Sequence, residues 1–288
     1  MRHLTFAFFT FFFGAFLFAG EISKTYQFSE YNIEQAGEYQ FIHFENCMNT
    51  GHTGAPSLPW FAVKLLLPPG EKVVSFTISA QKEESIAGTY TIYPQQPSRP
   101  LSLGRGEHFQ MDEKVYSSAI AYPKKASGII TTEYMNGYSI AMLNICPVQY
   151  IPSEGRLSYY SEITVNITTE KAREAETALT LLSSSEKVLG TLGKFVQNPK
   201  MLSEYPVRKS RTDDYELLII TPQAFENEFD ALTDLYFIRG LKSEVTTSEE
   251  ISSTMNGQDM QEKIRNYIIQ EVQSHNVEFV LLGGDVEH

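Results

Sequence analysis

Across residues 21–169 the chain runs in short alternating stretches broken by turn residues. Val74, Phe76 and Ile78 alternate with Ser75, Thr77 and Ser79, the period-2 pattern of a half-buried strand. Tyr90 and Ile92 continue the alternation as far as Pro94. Asn136-Gly137 lies between the apolar runs 129–134 and 138–145. Both central positions of a two-residue hairpin need positive φ, which Asn-Gly accepts readily. A second hairpin is expected around residues 152–155, with Leu157, Tyr159, Ile163, Val165 and Ile167 in the returning strand. Many strands with no clear helix among them predict an antiparallel β-sandwich or barrel.

The character changes between residues 170 and 214. Charged residues lead into Ser183-Ser184-Ser185, and Val188, Leu189, Leu192, Phe195 and Val196 then recur on one side of a short helix. Pro199, Pro206 and the basic cluster Arg208, Lys209, Arg211 close the segment, which reads as a linker carrying a docked helix. From Tyr215 the period switches again. Leu217, Leu218, Ile219 and Ile220 form a continuous apolar run, as expected of a strand buried on both faces. Phe225, Phe229, Leu232, Leu235 and Tyr236 recur at helical spacing up to Gly240. A strand over 241–246, a helix marked by Met260, Ile264, Ile268 and Val272, and a strand over 277–282 follow. This β-α-β-α-β order predicts a parallel sheet of order 2-1-3 over residues 215–288. Three strands and two helices leave such a sheet incompletely covered, so the α/β domain is expected to be incomplete in this chain.

Composition adds three constraints. Arg2 precedes an uncharged, Phe-rich run from residue 4 that ends in the small residues Ala19 and Gly20. The run is short for a membrane span and reads as a signal peptide, 1–20, cut near Ala19 or Gly20. No later stretch is apolar enough to span a bilayer, so the mature chain is expected to be secreted, extracellular or at the cell surface. The net charge of −12 argues against nucleic acid as a partner. Cys47 and Cys146 are the only cysteines: they pair in an oxidising compartment or stay buried as free thiols. Neither has metal-ligand spacing and the six His are scattered, so a His/Cys metal site is not supported.

The turn after the first parallel strand, Thr221-Pro222-Gln223-Ala224-Phe225, holds no glycine, which excludes the two common nucleotide-binding loops. Gly283-Gly284-Asp285 falls at the carboxyl end of the third strand, where open α/β sheets place their sites. Asp285 is either a cleft-edge carboxylate or the cap of a plain turn. No G-x-S-x-G elbow occurs. His275 lies before the third strand, at the other end of the sheet, and His288 is the last residue. No nucleophile and base are brought together by this pattern.

Three motifs stand out in the β-rich part: Gly54-Ala55-Pro56-Ser57-Leu58-Pro59, the strand through Phe61, Val63, Leu65 and Leu67 to Pro68-Pro69-Gly70, and Pro147-Val148-Gln149-Tyr150 with Gly155-Arg156-Leu157. Three more lie in the α/β part: the run from Tyr215 to Pro222, Arg239-Gly240-Leu241, and Phe279 to Asp285. In these motifs and their order the chain resembles the precursors of gingipain-type cysteine peptidases, the first set being similar to the propeptide and the second to the opening of the catalytic domain. The resemblance implies a caspase-like catalytic domain, a Cys–His dyad acting on protein or peptide substrates, and a β-sandwich propeptide that restrains the enzyme by contact with it. It implies no required cofactor, and calcium as an optional one, for which Asp213 and Asp214 are oxygen donors near the start of the α/β domain. The family's dyad lies beyond the third strand, so no catalytic residue is assigned here, and the chain alone is expected to be inactive. Two loops are candidates for insertion into the enzyme cleft: Pro123-Lys124-Lys125-Ala126-Ser127-Gly128, and Arg105 between two glycines. Activation is expected by a cut between residues 208 and 215, at Arg208, Lys209 or Arg211. The alternative is an exported, non-enzymatic β-sandwich that binds a partner and carries an α/β stub.

Overall fold

The structure, a computed structural model, describes residues 20–100, 102, 109–207, 214–275 and 277–284. Its β-rich part comprises β1 (Gly20–Gln27), β2 (Tyr31–Ala36), β3 (Tyr39–Phe44), β4 (Cys47–Thr50), β5 (Leu58–Leu66), β6 (Glu71–Ile86), the one-turn helix α1 (Glu113–Tyr116), β7 (Thr131–Met135), β8 (Tyr138–Ile145), β9 (Val148–Ile151) and β10 (Arg156–Lys171). One antiparallel sheet has the order β1-β10-β6, with β9 on the start of β10; the other has the order β4-β5-β8-β7. β2 and β3 form a separate ribbon. Ile22 and Tyr26 of the first sheet, with Ile163, Val165 and Ile167, share a core with Val63, Leu65, Leu143 and Ile145 of the second. This is the expected antiparallel sandwich.

Both hairpins form where the turn residues place them. Asn136 and Gly137 take φ of 50° and 86° between β7 and β8. A 3-10 turn over Pro152–Glu154 and Gly155 at φ 61° joins β9 to β10. Two details differ from the alternation. Val74 is exposed, because the ladder shifts opposite Thr168 and Thr169. Val73 and Ser75 take those partners, so Val74 is the extra residue of a β-bulge, and Val73 packs on the core instead. The stretch around Tyr90 and Ile92 makes no ladder. It is held by single bridges, Gln40 to Ile92 and Pro56 to Pro94, with Ile92 fully buried.

β10 continues to Lys171, so the expected boundary at residue 169 falls inside a strand. α2 (Arg173–Leu179) and α3 (Glu186–Phe195) follow, then a 3-10 turn over Pro199–Glu204. Ser185 caps α3 by accepting from the Val188 amide at 3.2 Å, and Glu186 and Lys194 complement its dipole. Its apolar side buries Val188 and Leu192 against Leu66, Tyr138 and Ile140, on the face of the second sheet that points away from the main core. A second core results, closed by Leu182, Val196 and Tyr205.

The last part contains β11 (Leu217–Thr221), a 3-10 segment Gln223–Phe229, α4 (Asp230–Ile238), β12 (Ser243–Thr247), α5 (Ser248–Thr254), α6 (Met260–Ser274) and β13 (Phe279–Leu282). All three strands are parallel and their order is β12-β11-β13, the expected 2-1-3. Every residue of β11 is buried. Gly240, at φ 80°, ends α4, and Asp259 caps α6 by accepting from Glu262 at 2.8 Å. Leu218 and Ile220 pack with Ile251, Ile264 and Ile268 of α5 and α6. Among the described residues no helix is long and apolar enough to cross a membrane.

Candidate inhibitory and processing sites

Residues 123–128 form a loop anchored at both ends. Tyr122 and Tyr150 exchange backbone hydrogen bonds at 2.7 and 2.8 Å. At the other end the Cys146 amide donates to Ala126 at 2.9 Å and the Gly128 amide to Asn144 at 2.8 Å. Pro123 is buried, whereas Lys124 and Lys125 are exposed and form no ion pair among the described residues. The loop is held at both ends with two exposed cations between them, so presenting it to a cleft costs little ordering entropy. Arg105, the second candidate, lies outside the described residues.

The processing residues Ala19, Arg208, Lys209 and Arg211 also lie outside them, as do Asp213 and Asp285. Their neighbours are placed. Gly20 is the first residue of β1, paired with Thr169; a Cβ there would come within 2.5 Å of the Thr169 hydroxyl and 2.8 Å of Glu71. Tyr205 is buried beside Tyr138, its hydroxyl donating to Leu67 at 2.8 Å and accepting from the Ser139 amide at 3.1 Å. Tyr215 is buried at the start of the α/β part; its hydroxyl donates to Glu271, and its ring stacks on His275 at 5.0 Å. Glu271 is also 3.6 Å from His275. Tyr215 stands where the sequence pattern predicts the first buried parallel strand to begin, whereas Tyr205 sits in no periodic pattern that would mark it.

At the carboxyl end of the parallel sheet Gly283 lies against Phe229 and Thr221: a Cβ there would fall 2.4 Å from the Phe229 ring and 3.2 Å from the Thr221 hydroxyl. A larger residue here would have to displace the Phe229 ring.

Cys47 and Cys146 are free thiols, both packed in or against the sandwich core. Burial pushes each up to about 12. A thiol held in that range carries almost no thiolate at neutral pH, so neither is an activated nucleophile. Among the described residues no group of three or more His, Cys, Asp or Glu is placed to hold a metal.

Residues 23–190 match the family model Propeptide_C25, and residues 210–288 match Peptidase family C25. The chain belongs to the C25 peptidase family. C25 relatives include gingipain R2 of Porphyromonas gingivalis, 24% identical over 259 residues, which cover 86% of this chain and 33% of that protein. Gingipain R1 of Porphyromonas gingivalis is 23% identical over 257 residues, 86% of this chain and 24% of that protein. The chain thus spans a third or less of these C25 relatives. Two solved structures are similar: one on the zymogenic latency of gingipain K from Porphyromonas gingivalis, at 19% identity and TM-score 0.45, covering 53% of this chain and 88% of that one. The other is a complex of Porphyromonas gingivalis RgpB pro- and mature domains, at 16% identity and TM-score 0.47, covering 62% and 92%.

Proposed function

We propose that this chain is the propeptide and the opening of the catalytic part of an exported, gingipain-like cysteine endopeptidase precursor acting on protein or peptide substrates. Residues 1–20 are removed as a signal peptide, and the product is secreted or held at the cell surface. The sandwich restrains the enzyme by offering the anchored loop with Lys124 and Lys125 to its cleft. The α/β part is the start of a caspase-like domain, and the isolated chain does not cleave peptides, since its two thiols, Cys146 buried and Cys47 partly buried, are packed in or against the sandwich core. No cofactor is required; calcium is an optional addition.

The observation that carries this reading is the pair Tyr205 and Tyr215. Each is locked by its hydroxyl into a different packed core, and the basic residues Arg208, Lys209 and Arg211 all fall between them. A cut there separates the two cores without exposing either. N-terminal sequencing of the mature secreted enzyme is expected to give a start between residues 209 and 215. A start at Glu21 in fully active enzyme would overturn the reading.

A further inference from the structure

The outward face of the β4-β5-β8-β7 sheet is divided in two. Around Leu66, Tyr138 and Ile140 it is covered by α3 and the turn that follows. Around Trp60 and Asn144 that cover is missing, and a groove of about 690 Å³ opens to solvent. Its walls come from the chain just after β4, from α1 and from the loop 123–128.

Two properties of the groove stand against the rest of the molecule. The chain carries a net charge of −12, yet no Asp or Glu lines this space, while Lys114 and Lys124 both do, with His52 beside them. Neither lysine has an ion-pair partner among the described residues. Between the cations the lining is apolar, with Trp60, Val115 and Ile120, and Ile120 is 63% exposed. A large aliphatic side chain left in water beside a tryptophan and unpaired cations is the anatomy of a contact surface awaiting a partner.

We propose that this groove binds an acidic, extended peptide segment of a partner protein, with apolar side chains against Trp60, Val115 and Ile120 and carboxylates at Lys114 and Lys124. The sign of the charge selects the occupant, since a cationic or neutral segment gains nothing from the two lysines. The open shape favours a peptide over a small molecule, because small-ligand sites enclose most of the ligand's surface. The inference stands on the sandwich alone. It is read on the free chain and does not need the peptidase reading. The groove nonetheless shares Lys124 and its 123–128 wall with the loop offered to the cleft, so the acidic segment and the enzyme compete for one face.

Trp60 is the only tryptophan in the chain, so its emission reports the groove directly. The full 288-residue chain is titrated with an acetylated, amidated hexapeptide alternating glutamate and leucine, and with its glutamine-leucine counterpart. The acidic peptide is expected to change the emission saturably and to bind at least tenfold more tightly than the neutral one. Lys114→Gln and Lys124→Gln each weaken binding about threefold to fivefold, whereas Lys24→Gln, on β1 of the other sheet, leaves it unchanged. Raising the salt concentration weakens it further. Ile120→Asp, at an exposed position, abolishes binding read by anisotropy of a labelled peptide. Equal affinity for the two peptides, or indifference to both lysines, overturns the proposal. So does saturation by phenylacetate at the same concentrations, which marks a small-anion site. A peptide-free emission change that tracks protein concentration and dimer formation also overturns it, since the occupant is then a second copy.

Discussion

Four side chains, three buried and Cys47 partly buried, give the molecule a common response to alkali. Tyr205 is pushed up to about 12, chiefly by burial. Tyr215 is raised by burial and then by its hydrogen bond to Glu271. The two thiols are raised by burial to about 12. A group whose value is raised on folding contributes stability that is whole below its unfolded value and is lost as pH rises through the folded one. The unfolded values are 9.0 for the thiols and 10.0 for the tyrosines. The melting temperature is therefore expected to be level up to about pH 8.5 and to fall steadily between pH 9 and pH 12. A level midpoint across that window contradicts the burial of these groups. A thiol reagent at pH 7.5 is expected to leave native protein almost unlabelled and to titrate both cysteines once urea unfolds it. The sequence left the cysteines open between pairing and burial, because their separation along the chain says nothing about their distance in space. Asn136-Gly137, by contrast, was legible outright, since positive φ at two adjacent positions is a local demand that few residue pairs meet.

At the scale of elements, the segment after β10 supplies the free edge of β5. Beyond its pairing with β4, which ends at Phe61, β5 would present bare backbone on that side. Gln197 takes the place of a strand there. Its backbone amide donates to Lys64 at 2.9 Å, its side-chain oxygen accepts from the Lys64 amide at 2.8 Å, and its side-chain nitrogen donates to Ala62 at 2.8 Å. Asn198 repeats the pattern on Leu66, at 2.7 and 2.8 Å. Replacing both by alanine removes five side-chain hydrogen bonds, one of them from the Tyr26 hydroxyl, and leaves part-buried backbone groups unpaired. At about 1 kcal/mol or more for each group so stranded, the loss is expected to reach about 3–5 kcal/mol, read from urea unfolding. A loss below about 1 kcal/mol means that water caps the edge equally well. The helix α3 was legible from its period and from Ser185. The Gln-Asn edge was not, because two amides standing in for a strand have no period to detect.

For the whole molecule the sequence separated sandwich, helix and α/β part correctly in kind, and the 2-1-3 order followed from connection rules alone. Where the first folding unit ends was less legible. The alternation fades near residue 169, but burial continues through Leu192 and Val196 to Tyr205, which close the second core over Leu66, Tyr138 and Ile140. Residues 20–205 expressed alone are therefore expected to melt in one cooperative transition, whereas residues 20–169 aggregate, with that apolar face uncovered. A cooperative melt of 20–169 by circular dichroism would show that α3 is an accessory. The Gln197 and Asn198 contacts also set an order in time. They join positions more than 130 residues apart, so they form only after that whole length of chain has emerged and the sandwich has found its register. Until then the β5 edge lies open to any neighbouring strand, including that of another nascent copy. Synthesis of this chain thus has a vulnerable interval that closes only when residue 198 arrives, and slowing elongation anywhere between residues 66 and 198 lengthens it.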